Sequence, residues 1–367
     1  MSADAGIVLR VDGIMEGRTY NPLTGVEYKN EYVYVVFSVW FAGEQWQLRS
    51  TNTSRSQAWI IIARDNTNTY VLRPPFVYGN PAASPSNLLW GTVYSSPLLL
   101  LDTYTEAAPS AVWAAYCFRP GYIRPDRHGR YVAPLPGALR YGSGVLGYRW
   151  EYIPSGDGRF VDLLRVIRDP SLDPPEREQF LHPHFDPPET LSAYREWRDF
   201  LDVARKTPSG FVEFELLIHE RFVTNGWHIP LRSEATSYLA GTPGKPWVRR
   251  VLLTTNVSVY ADTLNPVPRP SLPTRVRDYR YRRFENDRLF LRATYMLQPG
   301  EPWRGPNDPE LLAQAEEYIR NGPRYDAFLR PQMRHYLTWL AYAALVIVPL
   351  AAYALRRRLP RGTPPRT

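Results

Sequence analysis

The 367-residue sequence predicts an α+β protein: a mainly antiparallel curved sheet or half-barrel with a few covering helices, plus one C-terminal transmembrane helix. Three observations carry this. Short runs rich in β-branched and aromatic residues recur between Gly, Asn and Asp turns, which is how an antiparallel meander reads. Thirty-six prolines, 25 tyrosines and 11 tryptophans against four methionines make a rigid-loop, aromatic composition that favours strands over helix bundles. Finally, Tyr336 to Leu355 holds no charged residue, and at ~1.5 Å per residue about 20 helical residues cover a ~30 Å hydrocarbon core.

Tyr32 to Phe41 is β-branched and aromatic and too short for a typical helix, so it reads as a strand. Gly43 turns it, and Gln45 to Arg49 alternates as a hairpin partner. Ala58 to Ala63 and Thr69 to Leu72 follow, separated by Asp65 to Asn68, whose side chains favour tight turns. Pro109 to Phe118 suits a short apolar helix with Val112, Trp113, Tyr116 and Cys117 on one side, which makes Cys117 a core residue. Arg119 to Gly158, thick with Gly, Pro and Tyr, reads as loops and irregular strands. Glu189 to Arg205 spaces Leu191, Tyr194, Trp197 and Ala204 as an amphipathic helix. Phe211 to Phe222 sets Val212, Phe214, Leu216, Ile218 and Phe222 on one strand face and Glu213, Glu215 and His219 on the other. After the Asn225-Gly226 turn come strands at Trp227 to Ser237, Val248 to Tyr260, Arg275 to Arg282 and Arg288 to Leu297. Asp308, with Pro309 behind it, caps a helix that ends at Gly322 and Pro323.

These elements divide the chain into a first β-rich half (1–168), a proline-rich connector (169–188) and a helix with a second β-rich half (189–306). A juxtamembrane helix (307–335), the spanning helix (336–355) and a basic tail (356–367) complete it. Trp339, Tyr342 and Tyr353 flank the apolar run, and Arg356, Arg357 and Arg358 close it. The expected location is therefore a membrane, single-pass with a C-terminal anchor. No apolar signal core follows Met1, so the large domain is exported if the true start lies upstream and otherwise tail-anchored in the cytoplasm.

The net charge of +8 is dominated by arginines at 275–292, 320–334 and after the apolar run. The last two groups are what a membrane anchor attracts, so the lipid bilayer is an expected partner and nucleic acid is not. One cysteine excludes an internal disulfide.

VVFSVWFAGEQWQLRS in the first half and FELLIHERFVTNGWHIPLRS in the second share a strand, a glycine turn and a tryptophan strand, Trp46 in one and Trp227 in the other. Together with Tyr70 ending a further strand, and the long strands after it, this pattern over Val33–Arg73 and Phe211–Leu297 resembles the LolA/LppX-like unclosed β-barrel lipoprotein carriers. The resemblance implies an apolar groove between a curved sheet and covering helices that holds acyl chains. Its wall would include Phe37, Val39, Trp46 and Trp227.

Catalytic motifs are not found. The sequence contains no Gly-x-Ser-x-Gly elbow, phosphate-binding glycine loop or dinucleotide fingerprint. His182 and His184, spaced for ligation from an extended segment, are the metal candidates, but a catalytic zinc needs three protein ligands, so the expectation is no metal and no cofactor. Glu213 and Glu215 have the types of a glycosidase pair, yet on an outward strand face they read as solvated. In Arg275 to Arg283 basic and aromatic residues alternate, which leaves the rings to the core and the arginines to solvent. The preferred reading is a membrane-anchored, non-enzymatic β-rich protein that binds a lipid or other apolar ligand, or a protein partner, at the membrane surface. The alternative is a structural or assembly subunit of an envelope complex without a ligand cavity.

Overall fold

The computed structural model describes residues 7–29, 32–54, 58–75, 87–95, 109–119, 132–134, 145–173, 206–239, 244–261, 264–286, 288–322 and 345. Two units are distinguished, Met1–Arg283 with Phe290–Glu316, and Phe284–Leu289 with Glu317–Thr367. In the second, Arg288 Nε donates to the Gly322 carbonyl across 2.8 Å.

In chain order the strands are β1 (Ile7–Thr19), β2 (Val33–Ala42), β3 (Gln45–Asn52), β4 (Trp59–Arg64), β5 (Thr69–Arg73) and β6 (Leu89–Tyr94). A short helix α1 (Pro109–Val112) runs into a π turn at Trp113–Cys117. Then come β7 (Val132–Pro134), β8 (Val145–Pro154), β9 (Val161–Arg168), β10 (Val212–Thr224), β11 (Trp227–Tyr238) and β12 (Pro246–Ala261). Last are β13 (Thr274–Asp278), β14 (Arg283–Glu285), β15 (Arg288–Phe290), β16 (Ala293–Leu297) and the helix α2 (Pro309–Asn321).

Fourteen strands make one sheet in the order β16-β13-β6-β5-β4-β3-β2-β1-β12-β11-β10-β9-β8-β7. Neighbours are antiparallel except β6 and β13, which pair in parallel. β1 lies at the centre, pairing with β2 on one side and along its whole length with β12 on the other. Its sequence explains the position: Leu9, Val11 and Met15 are buried while Arg10, Asp12 and Glu16 alternate on the other face.

The sheet curls strongly. Phe41 in β2 and Phe160, just before β9, are separated by five strand spacings, which on a flat sheet is roughly 24 Å. Their rings lie 5.9 Å apart. Inside the curl sits the segment from α1 through Arg119, each of whose residues from Ser110 onward is at most 8% exposed. A second, smaller core lies on the opposite face of the sheet at β5, β6, β13 and β16. There Tyr70, Leu72, Val93, Val276 and Tyr295 are buried, and Trp303 packs edge-on to Tyr70 at 5.3 Å.

The expected fold class is corrected by this architecture. The described residues form one fourteen-stranded sheet and a two-stranded one, β14 with β15, together with two short α-helices, not an α+β arrangement with a spanning helix. Among them no helix is long and apolar enough to cross a membrane. The longest, α2, has thirteen residues and carries Glu310, Glu316, Glu317 and Arg320, too short and too charged for a ~30 Å core. Of the expected run 336–355 only Leu345 lies within the described residues. Single-pass anchoring, and the location inferred from it, are therefore not supported. The helix expected at Glu189 to Arg205 lies outside the described residues.

Three further expectations change in detail. The strand expected over Arg275 to Arg282 stops at Asp278, where Tyr279–Tyr281 turn as a 3-10 helix capped by the Asp278 carboxylate. Arg280 is there ion-paired with Asp278 and buried, while Tyr279 and Tyr281 are core. Phe222, expected inward, is exposed even though the two register shifts after Ile218 cancel and leave it opposite the buried Ile229.

The cap expected of Asp308 is present: its Oδ1 accepts from the Glu310 and Leu311 backbone N–H groups, each at 3.1 Å. Asp308→Ala should lower stability by about 1 kcal/mol, read as an earlier urea midpoint with an unchanged slope.

Candidate functional site

The concave face is built by strand alternation. Across it one cross-strand row runs Val11, Val39, Leu48, Ile62, Val71, Thr92, Arg277 and Thr294. Its first four members are fully buried, and from Val71 outward the row emerges into solvent. A second row pairs Gly13 with Phe37 and Phe37 with Ser50. Gly13 is required there: a Cβ would stand 2.6 Å from the Leu253 carbonyl oxygen and closer still to the Phe37 ring. That ring in turn packs against Tyr116 at 5.3 Å.

Under the centre of the curl the helical segment is anchored by polar as well as apolar contacts. The Tyr116 hydroxyl hydrogen-bonds with Thr254 Oγ1 at 2.8 Å, and Thr254 donates to the Pro230 carbonyl at 2.6 Å. Phe118 stacks on Trp150 of β8 at 6.0 Å and meets Trp113 edge-on. Arg119 places its guanidinium between Phe41 (5.2 Å) and Phe160 (5.0 Å) while donating to the carbonyls of Tyr116 and Phe118. Trp227 continues this aromatic line, 6.1 Å from Phe160 and covered by Arg159 at 4.1 Å. Beside it Asp157 accepts from Ser155 and from the backbone N–H groups of His228 and Arg159. Burial would raise its carboxyl, but these donors outweigh burial and hold it below the usual carboxylate range.

Glu213 is the outlier of the interior. A register shift between Val212 and Phe214 bulges it inward, where the Tyr148 hydroxyl donates to its Oε2 at 2.9 Å. Burial pushes its carboxyl up to about 8, against the hydrogen bond from Tyr148 and the charge of Arg168, which both pull it down. Arg168 is itself buried, bonded to the Gly147 carbonyl at 2.9 Å and to Asp173 at 2.7 Å. Glu213 thus keeps its proton to higher pH than an ordinary glutamate.

No protein family matches the chain, and no curated protein does. The solved structures similar to it include two that follow. One is a DUF1329 family protein from Desulfovibrio piger, at 7% identity and TM-score 0.29, covering 71% of this chain and 89% of that one. The other is a LolA superfamily protein from Nitrosomonas europaea, at 12% identity and TM-score 0.27, covering 70% and 87%.

Of the residues expected to line a groove, Phe37 and Val39 share the concave face of β2, and Trp46 lies directly opposite Phe41. Trp227 joins them through Phe160, so all four are buried in one aromatic interior. His182 and His184 lie outside the described residues. Among the described residues no group of three His, Cys, Asp or Glu side chains is placed to hold a metal. Glu213 and Glu215 do not act as a pair, since one is buried against Tyr148 and the other is held at the surface by Arg165. Cys117 is buried and its thiol is pushed up by desolvation, which makes it a poor nucleophile.

Sequence reasoning missed the outer part of the concave face. Arg73 and Arg277 each place a guanidinium over the Trp90 ring, at 5.4 and 5.5 Å. The signal was available in the alternation of β5 and β6, but only the pairing of β6 with β13 brings the two arginines to one ring.

Proposed function

We propose that the concave face binds an apolar ligand, an acyl chain or a molecule of similar shape, laid across β3, β4 and β5. The observation that supports this reading is the row Leu48, Ile62 and Val71, apolar throughout and leading from the buried interior to the open part of the face. Leu48 and Ile62 are already out of water, so the gain of ~25 cal/mol for each Å² would come from the alkyl chain's own surface and from the part-exposed Val71. Phe37, Val39, Trp46 and Trp227 form the inner end of this wall, beside the Pro109–Cys117 segment. That segment occupies much of the curl, which favours a second reading, a structural subunit whose interior is filled by its own chain.

A fluorescent fatty acid titrated into the full chain separates the two. Saturable binding, weakened at least tenfold by Ile62→Trp with near-ultraviolet circular dichroism retained, is expected for the ligand-binding reading. Binding that is absent, or indifferent to Ile62→Trp, would favour the structural subunit.

A further inference from the structure

β12 is an inner strand over only part of its length. Residues 248–253 pair with β11 on one side and β1 on the other, but the β11 ladder ends at Arg232 and Leu253. Thr254 still reaches the Pro230 carbonyl through its hydroxyl, at 2.6 Å, and β12 then runs on beside β1 as far as Ala261. Among the described residues none pairs with 255–261 on the β11 side. A strand turns alternate backbone N–H and C=O groups to each of its neighbours, so this stretch presents a row of donors and acceptors to the open side. Thr255, Asn256, Val259, Tyr260 and Ala261 are exposed there, as is Ile7 opposite Ala261. Edge strands are ordinarily kept from pairing with other chains by charge, proline or brevity. The outermost strands of the sheet are brief, three residues in β7, which ends in Pro134, and five in β16. From Leu252 to Ala261, by contrast, there is neither a charged residue nor a proline.

We infer that this edge pairs with its counterpart in a second copy of the chain, β12 against β12 across a two-fold axis. The antiparallel register that uses the whole free stretch 255–261 is centred on Ser258. It sets Val257 against Val259 of the second copy, Asn256 against Tyr260, and Thr255 against Ala261. Cross-strand pairs of these β-branched, aromatic and polar types are favourable, whereas like charges directly opposite one another are not. A chain of net charge +8 repels its own copy, so it associates best through an uncharged stretch, and this one is uncharged. The charges beside it are already matched: Arg10 to Asp12 at 2.9 Å on β1, and Arg232 to Glu220 at 3.8 Å on the β10–β11 hairpin. Because both copies present the same edge, the contact closes on itself and stops at two.

Sedimentation of the full chain over a range of concentrations tests this. A monomer–dimer equilibrium is expected, tightening as added salt screens the net positive charge. Ser258→Lys and Ser258→Glu, which place like charges opposite each other at the axis, should each weaken the dimer about tenfold or more. Mixing the two variants in equal amounts should restore it, because lysine then faces glutamate. In the unmodified protein, amide exchange at residues 256–260 should slow as concentration rises through the dissociation constant, a readout that stands if either variant fails to fold. A parent that stays monomeric up to about 100 μM overturns the inference and leaves the edge to a strand of some other protein. A dimer indifferent to both variants, or one whose edge amides exchange at the same rate at every concentration, overturns it in favour of a contact elsewhere. A dimer lost in each variant and not restored on mixing overturns the pairing across Ser258.

Discussion

Gly13→Ala is expected to lower the stability of the sheet by roughly 3 kcal/mol, the upper end of what overpacking a core costs. The added methyl meets the Leu253 carbonyl oxygen of β12 at 2.6 Å and the Phe37 ring still more closely. Neither neighbour is free to retreat. Leu253 is held in the β1 to β12 ladder, and Phe37 is clamped against Tyr116 of the internal helical segment. A bulge between Asp12 and Gly13 already adjusts the ladder at this point, so little slack remains. Combining Gly13→Ala with Phe37→Leu should recover part of the loss, because the ring is one of the two obstructions. A double-mutant cycle followed by chemical denaturation reads this coupling, and strictly additive losses would contradict the geometry.

Glu213 gives the second large effect, a dependence of stability on pH. Its carboxyl is raised from the ordinary glutamate value of 4.5 to about 8 by burial beside Tyr148 and Arg168. In the folded protein it therefore holds a proton that the unfolded chain has released. The contribution is full below about pH 4.5, falls as pH rises from 4.5 to 8, and is gone above the folded value. Over that window the loss attributable to this one group is on the order of several kcal/mol. Glu213→Gln, which mimics the protonated acid in shape, should match the parent at pH 5 and exceed it at pH 8.5. Unfolding free energies of the two proteins across this range check it. Parallel pH profiles would contradict the assignment.

Both effects arise where the sequence is hardest to read. The strands β2, β3, β4 and β5 were legible because Tyr32 to Phe41 and its partners are β-branched, aromatic and separated by Gly43 and the Asp65 to Asn68 turn. β1 alternates as cleanly, Leu9, Val11 and Met15 against Arg10, Asp12 and Glu16, yet its glycines and lack of aromatics hide it beside louder segments. The burial of Glu213 depends on one extra residue in β10, and a register shift leaves no mark in local composition. Arg280 reads as a solvated strand residue until the 3-10 turn at Tyr279 brings it back onto Asp278. Of the apolar run after Tyr336 only Leu345 lies within the described residues, and among those no helix is long and apolar enough to cross a membrane.

The candidate face divides along the same line. Phe37, Val39, Trp46 and Trp227 are visible as large apolar residues on strands, and alternation alone places the first three inward. The basic outer half is not, because Arg73 and Arg277 are about two hundred residues apart and meet over Trp90 only through the parallel pairing of β6 with β13.

Native mass spectrometry of the full chain, purified under gentle conditions, tests most directly whether the concave face holds an apolar ligand. The account predicts an adduct of lipid mass that is retained by the parent protein and depleted in Ile62→Trp. A folded protein that carries no such adduct, and takes up none when incubated with a fatty acid, would contradict it.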